Sequence, residues 1–502
     1  MNPSMTNSSR GSAMLLAMLV IAGCAAPDFH QPEVASPARF KEADGVSSIA
    51  VSTPDVDAAT QGRWKQAQPS ESLPRGEWWK AFGDAALDAL EGEAIVANGD
   101  LQAAAARVRQ ARALLGVAEA DRYPQVNAGA QALRGRNSDA SLGVPQGTKV
   151  PTSNFFQAGL SVSYELDLFG RVSNNVNASK ADASATEATY RSVLLALQAD
   201  VAQTYYRVRE SDAEFALLKE TVRLREDNVK LAQSRFDAGD ISEIDLSRAR
   251  TERATAQSDA IGVERQRAVA EHALAVLLGR APAGFDFGVN PLLDVANMPG
   301  IPAGMPSSLL ERRPDIAAAQ QQMFAANARI GVAKSAIFPA LSLTGQGGAE
   351  SYQLSDLFKL SSTTWLIGAV MSLPIVDGGR NKANIRRAEA GLEESVGVYR
   401  QKVLVAFAEV EDNLVGLRTL DGQAQATDEA VASARRAAAL AEKRYRAGQT
   451  GYLESIDAQR ELLSVQRHAV QLRGSRATTT VALIRSLGGG WEAPAAPIAS
   501  AR

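Results

Sequence analysis

The chain predicts a duplicated α+β membrane protein in which each half carries a β-hairpin followed by a pair of very long helices. Three observations point there. The sequence contains a tandem repeat, it has runs free of Gly and Pro far longer than a globular helix, and two segments alternate strictly between apolar and polar residues.

The repeat organises everything else. Asp100 opens an alanine-rich run that passes through Leu115-Gly116-Val117-Ala118 and closes at Tyr123-Pro124. Asp315, Ile330-Gly331-Val332-Ala333 and Phe338-Pro339 repeat it 215 residues later. Further on the shift is 209: Gly170-Arg171 matches Gly379-Arg380, Arg235-Phe236-Asp237-Ala238-Gly239 matches Arg444-Tyr445-Arg446-Ala447-Gly448, and Leu278-Gly279 matches Leu487-Gly488. A six-residue difference between the strand loops accounts for the change of shift, and the repeating unit is roughly 200 residues.

The helices come from what is missing. No proline occurs from 152 to 281 or from 375 to 493, and residues 171–238 hold neither proline nor glycine. Such a run would make a coiled-coil-like helix roughly 100 Å long. In the second copy Ile385, Ala388, Leu392, Val396, Tyr399, Val403, Ala406, Val410, Leu414 and Leu417 recur at helical spacing, with charged and amide residues between them. That is a narrow seam suited to long helices packed side by side. Taken alone, these helices would fit a soluble coiled-coil scaffold.

The strands argue against a scaffold. Phe156, Ala158, Leu160, Val162, Tyr164, Leu166 and Leu168 alternate with Gln157, Gly159, Ser161, Ser163, Glu165 and Asp167. Period two over this length suits a tilted transmembrane strand. Trp365, Ile367, Ala369, Met371, Leu373 and Ile375 repeat the pattern, and weaker partners stand at 125–134 and 340–348. Four strands cannot close a barrel, and open sheet edges are not tolerated in lipid. A membrane reading therefore requires oligomerisation, and three chains would supply twelve strands.

The N-terminus agrees. Arg10 precedes an apolar stretch, Ala13 to Ala22, which is placed like a signal-peptide core and ends in Ile21-Ala22-Gly23-Cys24. Cys24 is the only cysteine, so neither an intrachain disulfide nor a metal–thiolate cluster is available. The net charge of −3 and pI near 5.9 argue against nucleic acid, and a mean hydropathy of −0.14 against a helical membrane bundle. His30, His272 and His468 are the only histidines and no two are near in sequence; with no Gly-rich phosphate loop or metal-ligand cluster, an enzyme lacks its parts.

Several stretches carry a resemblance to a known family. They are Trp78-Trp79-Lys80-Ala81-Phe82 followed by Leu87 and Leu90, the Asp100-Leu101 helix start, Glu165-Leu166-Asp167-Leu168-Phe169-Gly170, Leu373-Pro374-Ile375-Val376-Asp377-Gly378-Gly379, Arg444 to Gly448, and Leu487-Gly488-Gly489-Gly490-Trp491. In this order, on both repeats, the chain resembles the TolC-like outer-membrane efflux proteins and their OprM/NodT-type lipoprotein branch. The resemblance implies a homotrimer with a shared twelve-stranded outer-membrane barrel and a long periplasmic helical barrel. It also implies docking with a periplasmic adaptor and an inner-membrane pump, proton-driven and of the RND type, with no chemistry performed by the duct and no cofactor beyond covalent lipid on Cys24. A duct for type I protein secretion shares this architecture and is the alternative.

The boundaries follow: signal peptide 1–23, lipid-anchored extended segment 24–75, first repeat 76–280 (β-hairpin 123–169, helical hairpin 171–279), Pro-rich linker 281–312, second repeat 313–490 (β-hairpin 339–376, helical hairpin 380–488) and a disordered tail 491–502. The resemblance makes the turns Gly239-Asp240 and Gly448-Gln449-Thr450-Gly451 the periplasmic tips that meet the adaptor and close the tunnel. Asp457 matches a pore-constricting acidic position of the family, and Leu453 the apolar constriction one turn earlier, at i, i+4 spacing on one helix face. Tyr445 aligns with a tyrosine that ties the closed tip, with a packed aromatic as the alternative, whereas Thr450 stands where some members carry a gating arginine. Ser242-Glu243-Ile244-Asp245 reads as a capping box, and Gly451-x-x-Glu454 repeats it. Arg248 is the first-repeat counterpart of Asp457, so the two could pair between neighbouring helices.

Overall fold

The protein is described by a computed structural model covering residues 77–138, 149–291 and 312–489, with positions 29, 32, 37, 39–42, 140–143, 145, 147, 299 and 301. Cys24, nearly all of 24–75, the linker positions 292–298 and 302–311, and the tail 491–502 lie outside the described residues.

From the helix before the β-hairpin onward, both repeats build the same elements. The first runs α1 (Ala85–Ala97), α2 (Gly99–Ala120), β1 (Gln125–Gly135), β2 (Ser153–Leu166), α3 (Arg171–Asp237) and α4 (Glu243–Leu277). The second runs α5 (Pro314–Ser335), β3 (Ala340–Ser351), β4 (Thr363–Ser372), α6 (Arg380–Arg446) and α7 (Tyr452–Ser486). The helix lengths duplicate to the residue: α3 and α6 have 67 each, α4 and α7 have 35 each. Among the described residues no helix is long and apolar enough to cross a membrane.

The chain divides into two compact units, 1–33, 107–187 and 318–399 in the first, and 34–106, 188–317 and 400–502 in the second. The first unit holds a four-stranded antiparallel sheet in the order β1-β2-β3-β4, so β1 and β4 are both edges. Its register sorts the side chains into two faces, because successive residues of a strand point oppositely. Val126, Val162, Gly345 and Ile367 share one line across the sheet, with Ala128, Leu160, Gly347 and Trp365 beside it. The other face carries Gln125, Ser163, Thr344 and Gly368, then Asn127, Ser161, Gln346 and Leu366, and is polar on all but its last strand. The apolar face is uncovered: Leu160, Trp365 and Ile367 are all exposed.

Two strand ends differ from the sequence reading. The alternation continues to Leu168, yet β2 stops at Leu166. The Asp167 carboxylate instead accepts hydrogen bonds from Val172 N (3.0 Å) and Ser173 N (2.7 Å), satisfying donors at the start of α3. Likewise β4 ends at Ser372, before Leu373 and Ile375; Pro374 has no N–H to continue a ladder. Asp377 then accepts from Gly379 N and Asn381 N, both at 2.9 Å, at the start of α6.

The second unit is cored by Trp78, Trp79, Phe82, Leu87, Leu90 and Leu101 against Tyr205, Tyr206, Leu274 and Leu278 from the first repeat and Val410, Leu414, Val481, Ile484 and Leu487 from the second. Asp84 caps α1, accepting from Ala86 N at 2.9 Å and Leu87 N at 3.3 Å. The closing Leu-Gly of each repeat has a steric reason. Gly279 adopts φ +68°, and a Cβ there would sit 2.5 Å from Ala97 O; Gly488 adopts +89°, with Arg312 O 2.9 Å from the same point.

Candidate functional site at the hairpin tips

Each helical hairpin of the second unit turns through the same backbone motif. Gly239 (φ +83°) donates to Phe236 O at 2.9 Å, and Asp240 N to Arg235 O at 2.8 Å. Gly448 (φ +70°) donates to Tyr445 O at 3.0 Å, and Gln449 N to Arg444 O at 2.9 Å. Both are Schellman-type ends in which glycine takes the left-handed residue. Gly239, Asp240, Gly448, Gln449 and Gly451 are exposed. Thr450 is half-buried, with its Oγ1 occluded and without a partner.

A small core holds the tips together: Ala232, Leu246, Ala249, Tyr445, Tyr452 and Ile456. Tyr445 and Tyr452 pack with ring centroids 5.2 Å apart. Arg235 lies over the Tyr445 ring at 4.7 Å and donates to the carbonyls of Tyr445 (3.3 Å) and Arg446 (3.2 Å). A cation from the first tip thus caps the C-terminal end of α6, where the helix dipole favours positive charge. The Tyr445 and Tyr452 hydroxyls are occluded and have no partner among the described residues. Burial pushes the Tyr452 phenol up to about 12. Within one chain Tyr445 is a packed aromatic.

The capping boxes expected from sequence do not form. Ser242 and Gly451 occupy the N-cap positions, but neither helix start has a side-chain cap. The Ser242 hydroxyl donates to the Asp245 carboxylate at 3.1 Å, and Arg248 pairs with the same carboxylate at 3.4 Å. Glu454 pairs with Arg444 at 3.0 Å. An arginine one turn away, or just across the turn, outcompetes a backbone N–H for each carboxylate. Both acids still sit in a first helical turn, where the dipole favours them.

Leu453 and Asp457 project from the same side of α7, 47% exposed for the residue and 59% for the side chain respectively. The Asp457–Arg248 pair is not made within one chain. Arg248 holds Asp245, and Asp457 faces Arg460 at 3.5 Å. Arg460 also reaches Glu252 (Nε–Oε1 2.8 Å), a buried carboxylate 3.6 Å from buried Arg225. Arg225 and Asn228 donate to Gln459 at 3.0 and 3.3 Å. A polar chain thus leads from the exposed Asp457 into the packing between the two repeats. The sequence reading missed Arg235, Arg225, Glu252 and Arg460. One signal was available: Glu252 interrupts the buried series Leu246, Ala249, Ala256 and Ala260, where a lone charge implies a partner.

A duplicated hairpin-and-long-helix chain, with an uncovered apolar sheet face and paired helical tips, is the architecture of an outer-membrane channel. The chain belongs to the outer membrane efflux protein family, whose model matches residues 90–280 and 305–489. It is 34% identical over 482 residues to the solvent efflux pump outer membrane protein SrpC of Pseudomonas putida, covering 96% of this chain and 98% of that one. It is 33% identical over 481 residues to the cation efflux system protein CusC of Escherichia coli O6:H1, covering 94% and 97%. Among solved structures, the outer-membrane channel OprN superposes with a TM-score of 0.81 at 29% identity, covering 93% of this chain and 99% of OprN. The protein is thus an outer-membrane component of an efflux system with the TolC-like channel fold.

Proposed function

We propose that three copies of this chain form the exit duct of a tripartite pump and pass small amphipathic compounds across the outer membrane without chemistry of their own. The observation that carries this reading is the sheet: the outer edges of β1 and β4 are both unpaired among the described residues, and one face is apolar and exposed. An edge left open in lipid strands its N–H and C=O groups, whereas three four-stranded sheets joined β4 to β1 make a closed barrel of twelve. The polar face, with Gln125, Asn127, Ser161, Ser163, Thr344 and Gln346, then lines the lumen.

The remaining roles belong to the same proposal. Leu453 and Asp457 from each chain form stacked apolar and acidic rings that close the tip. Gly239, Asp240, Gly448, Gln449, Thr450 and Gly451 receive the adaptor, which links the duct to an inner-membrane, proton-driven pump. Cys24 carries the lipid anchor. Relatives named for solvent and for cation efflux show how far cargo varies among similar ducts. The solvent relative supports amphipathic cargo. Native mass measurement in mild detergent tests the assembly: three copies are expected, each acylated at a mature N-terminal Cys24. A stable monomer that keeps its β-spectrum would remove the shared barrel.

A further inference from the structure

Gly474 lies buried in the interior of α7, where alanine would favour the helix. The reason for glycine is a carboxylate from the other repeat. A Cβ at this position would stand 2.0 Å from Glu210 Oε2 and 2.3 Å from its Cδ, so the α3 side chain rests directly on the α7 backbone. Among the described residues no salt bridge neutralises it. Arg467, the arginine one heptad before Gly474, is taken by Glu214 at 2.8 Å and Asp259 at 3.2 Å. Arg473, next to Gly474, has a partner of its own. The charges acting on Glu210 come from its own helix: Glu214 disfavours ionisation and Arg207 favours it. Burial first, and Glu214 second, push the Glu210 carboxyl up to about 7.

We propose that Glu210 and Gly474 form a proton-operated clasp between the two repeats. Protonated, the carboxyl settles on the glycine backbone and holds α3 against α7; ionised, it swings to water and the contact slackens. Since the carboxyl in place titrates above its ordinary value of 4.5, the closed contact binds more protons than the open one between about 4.5 and 7. Its stabilisation is fully present below 4.5 and is lost as the pH rises through 7.

Hydrogen exchange followed by mass spectrometry tests this on the purified full chain, in peptides spanning 205–215 and 470–480. At pH 8.0 compared with pH 5.5, after correction for intrinsic rates, the wild type is expected to lose protection several-fold. Glu210→Gln, neutral throughout, should keep its protection at both values. Gly474→Ala expels the carboxylate with its methyl group and should be equally insensitive to pH, but less protected at pH 5.5. A Glu210→Gln chain that shows the wild-type pH response overturns the clasp. Because Gln keeps the shape of Glu, this arm holds even if Gly474→Ala fails to fold.

Discussion

The two hairpin tips share one backbone and differ in their charges. Both close with a left-handed glycine, and both place an acid in the first turn that follows. At the next turn they part, because Arg248 in the first repeat stands where the second has Asp457. Arg248 folds back onto Asp245 and is spent locally, whereas Asp457 stays outward on α7 with Arg460 behind it. Duplication preserved the geometry of the turn and left surface charge free to diverge. The gate proposed at Asp457 therefore lies in the part of the tip that broke the symmetry.

Pairing, more than position, should set the size of each carboxylate's effect, and five substitutions probe that comparison. The largest effect is expected away from the tips, at Glu91 of α1, which is fully buried with both carboxylate oxygens unpartnered. Burial, reinforced by Asp88, pushes it up to about 9. The folded chain then holds a proton that the unfolded chain releases above about 4.5, so stability falls as pH rises from 4.5 toward 9. Glu91→Gln should match the wild type near pH 4 and exceed it at pH 8 by on the order of a few kcal/mol, read as a higher Tm. Equal pH profiles would mean that Glu91 finds a partner in the assembled protein.

Next in size is Glu252→Ala, which strips buried Arg225 and half-exposed Arg460 of their shared carboxylate. A loss of about 3 kcal/mol is expected at the tip, measured as reduced hydrogen-exchange protection around 225 and 460. The exposed pair Arg444–Glu454 is the contrast, and Glu454→Ala should cost no more than about 1 kcal/mol. Comparable losses would break the argument from burial.

The gate comparison follows. Three Asp457 carboxylates near a threefold axis would repel one another, favouring cations and a tight resting aperture. Asp457→Ala should raise resting conductance severalfold in planar bilayers and weaken block by divalent ions. The smallest effect should be that of Asp245→Ala, which loses only a hydroxyl contact and an exposed ion pair, about 0.5 kcal/mol, with selectivity unchanged. If the two mutants conduct alike with the trimer intact, Asp457 is an ordinary surface carboxylate.

Much of the fold was legible because periodicity is local information. The seam residues Tyr399, Val403, Ala406, Val410 and Leu414 are all buried, and the strand alternation sorts onto two faces as written. The misreadings share one cause, competition between nearby partners. Asp167 looked like the next polar residue of a strand, but the free N–H groups of α3 claim it. Ser242 and Asp245 looked like a capping box, but Arg248 and the serine hydroxyl occupy the carboxylate.

The amino-acid sequence by itself determined the duplication, the unbroken helices, the alternating strands and the glycines at the turns. These depend on residues a few positions apart, and on backbone conformations that only particular residues tolerate. Tertiary structure decided what happens between distant segments: that Arg235 caps the other repeat's helix, that Glu252 gathers Arg225 and Arg460, and that Glu210 covers Gly474. Each of these joins residues about 30 to 260 positions apart, and its partners are fixed by the register in which two long helices pack. A helix has many faces and long charged side chains can reach several of them, so only the packed chain selects which contacts are made.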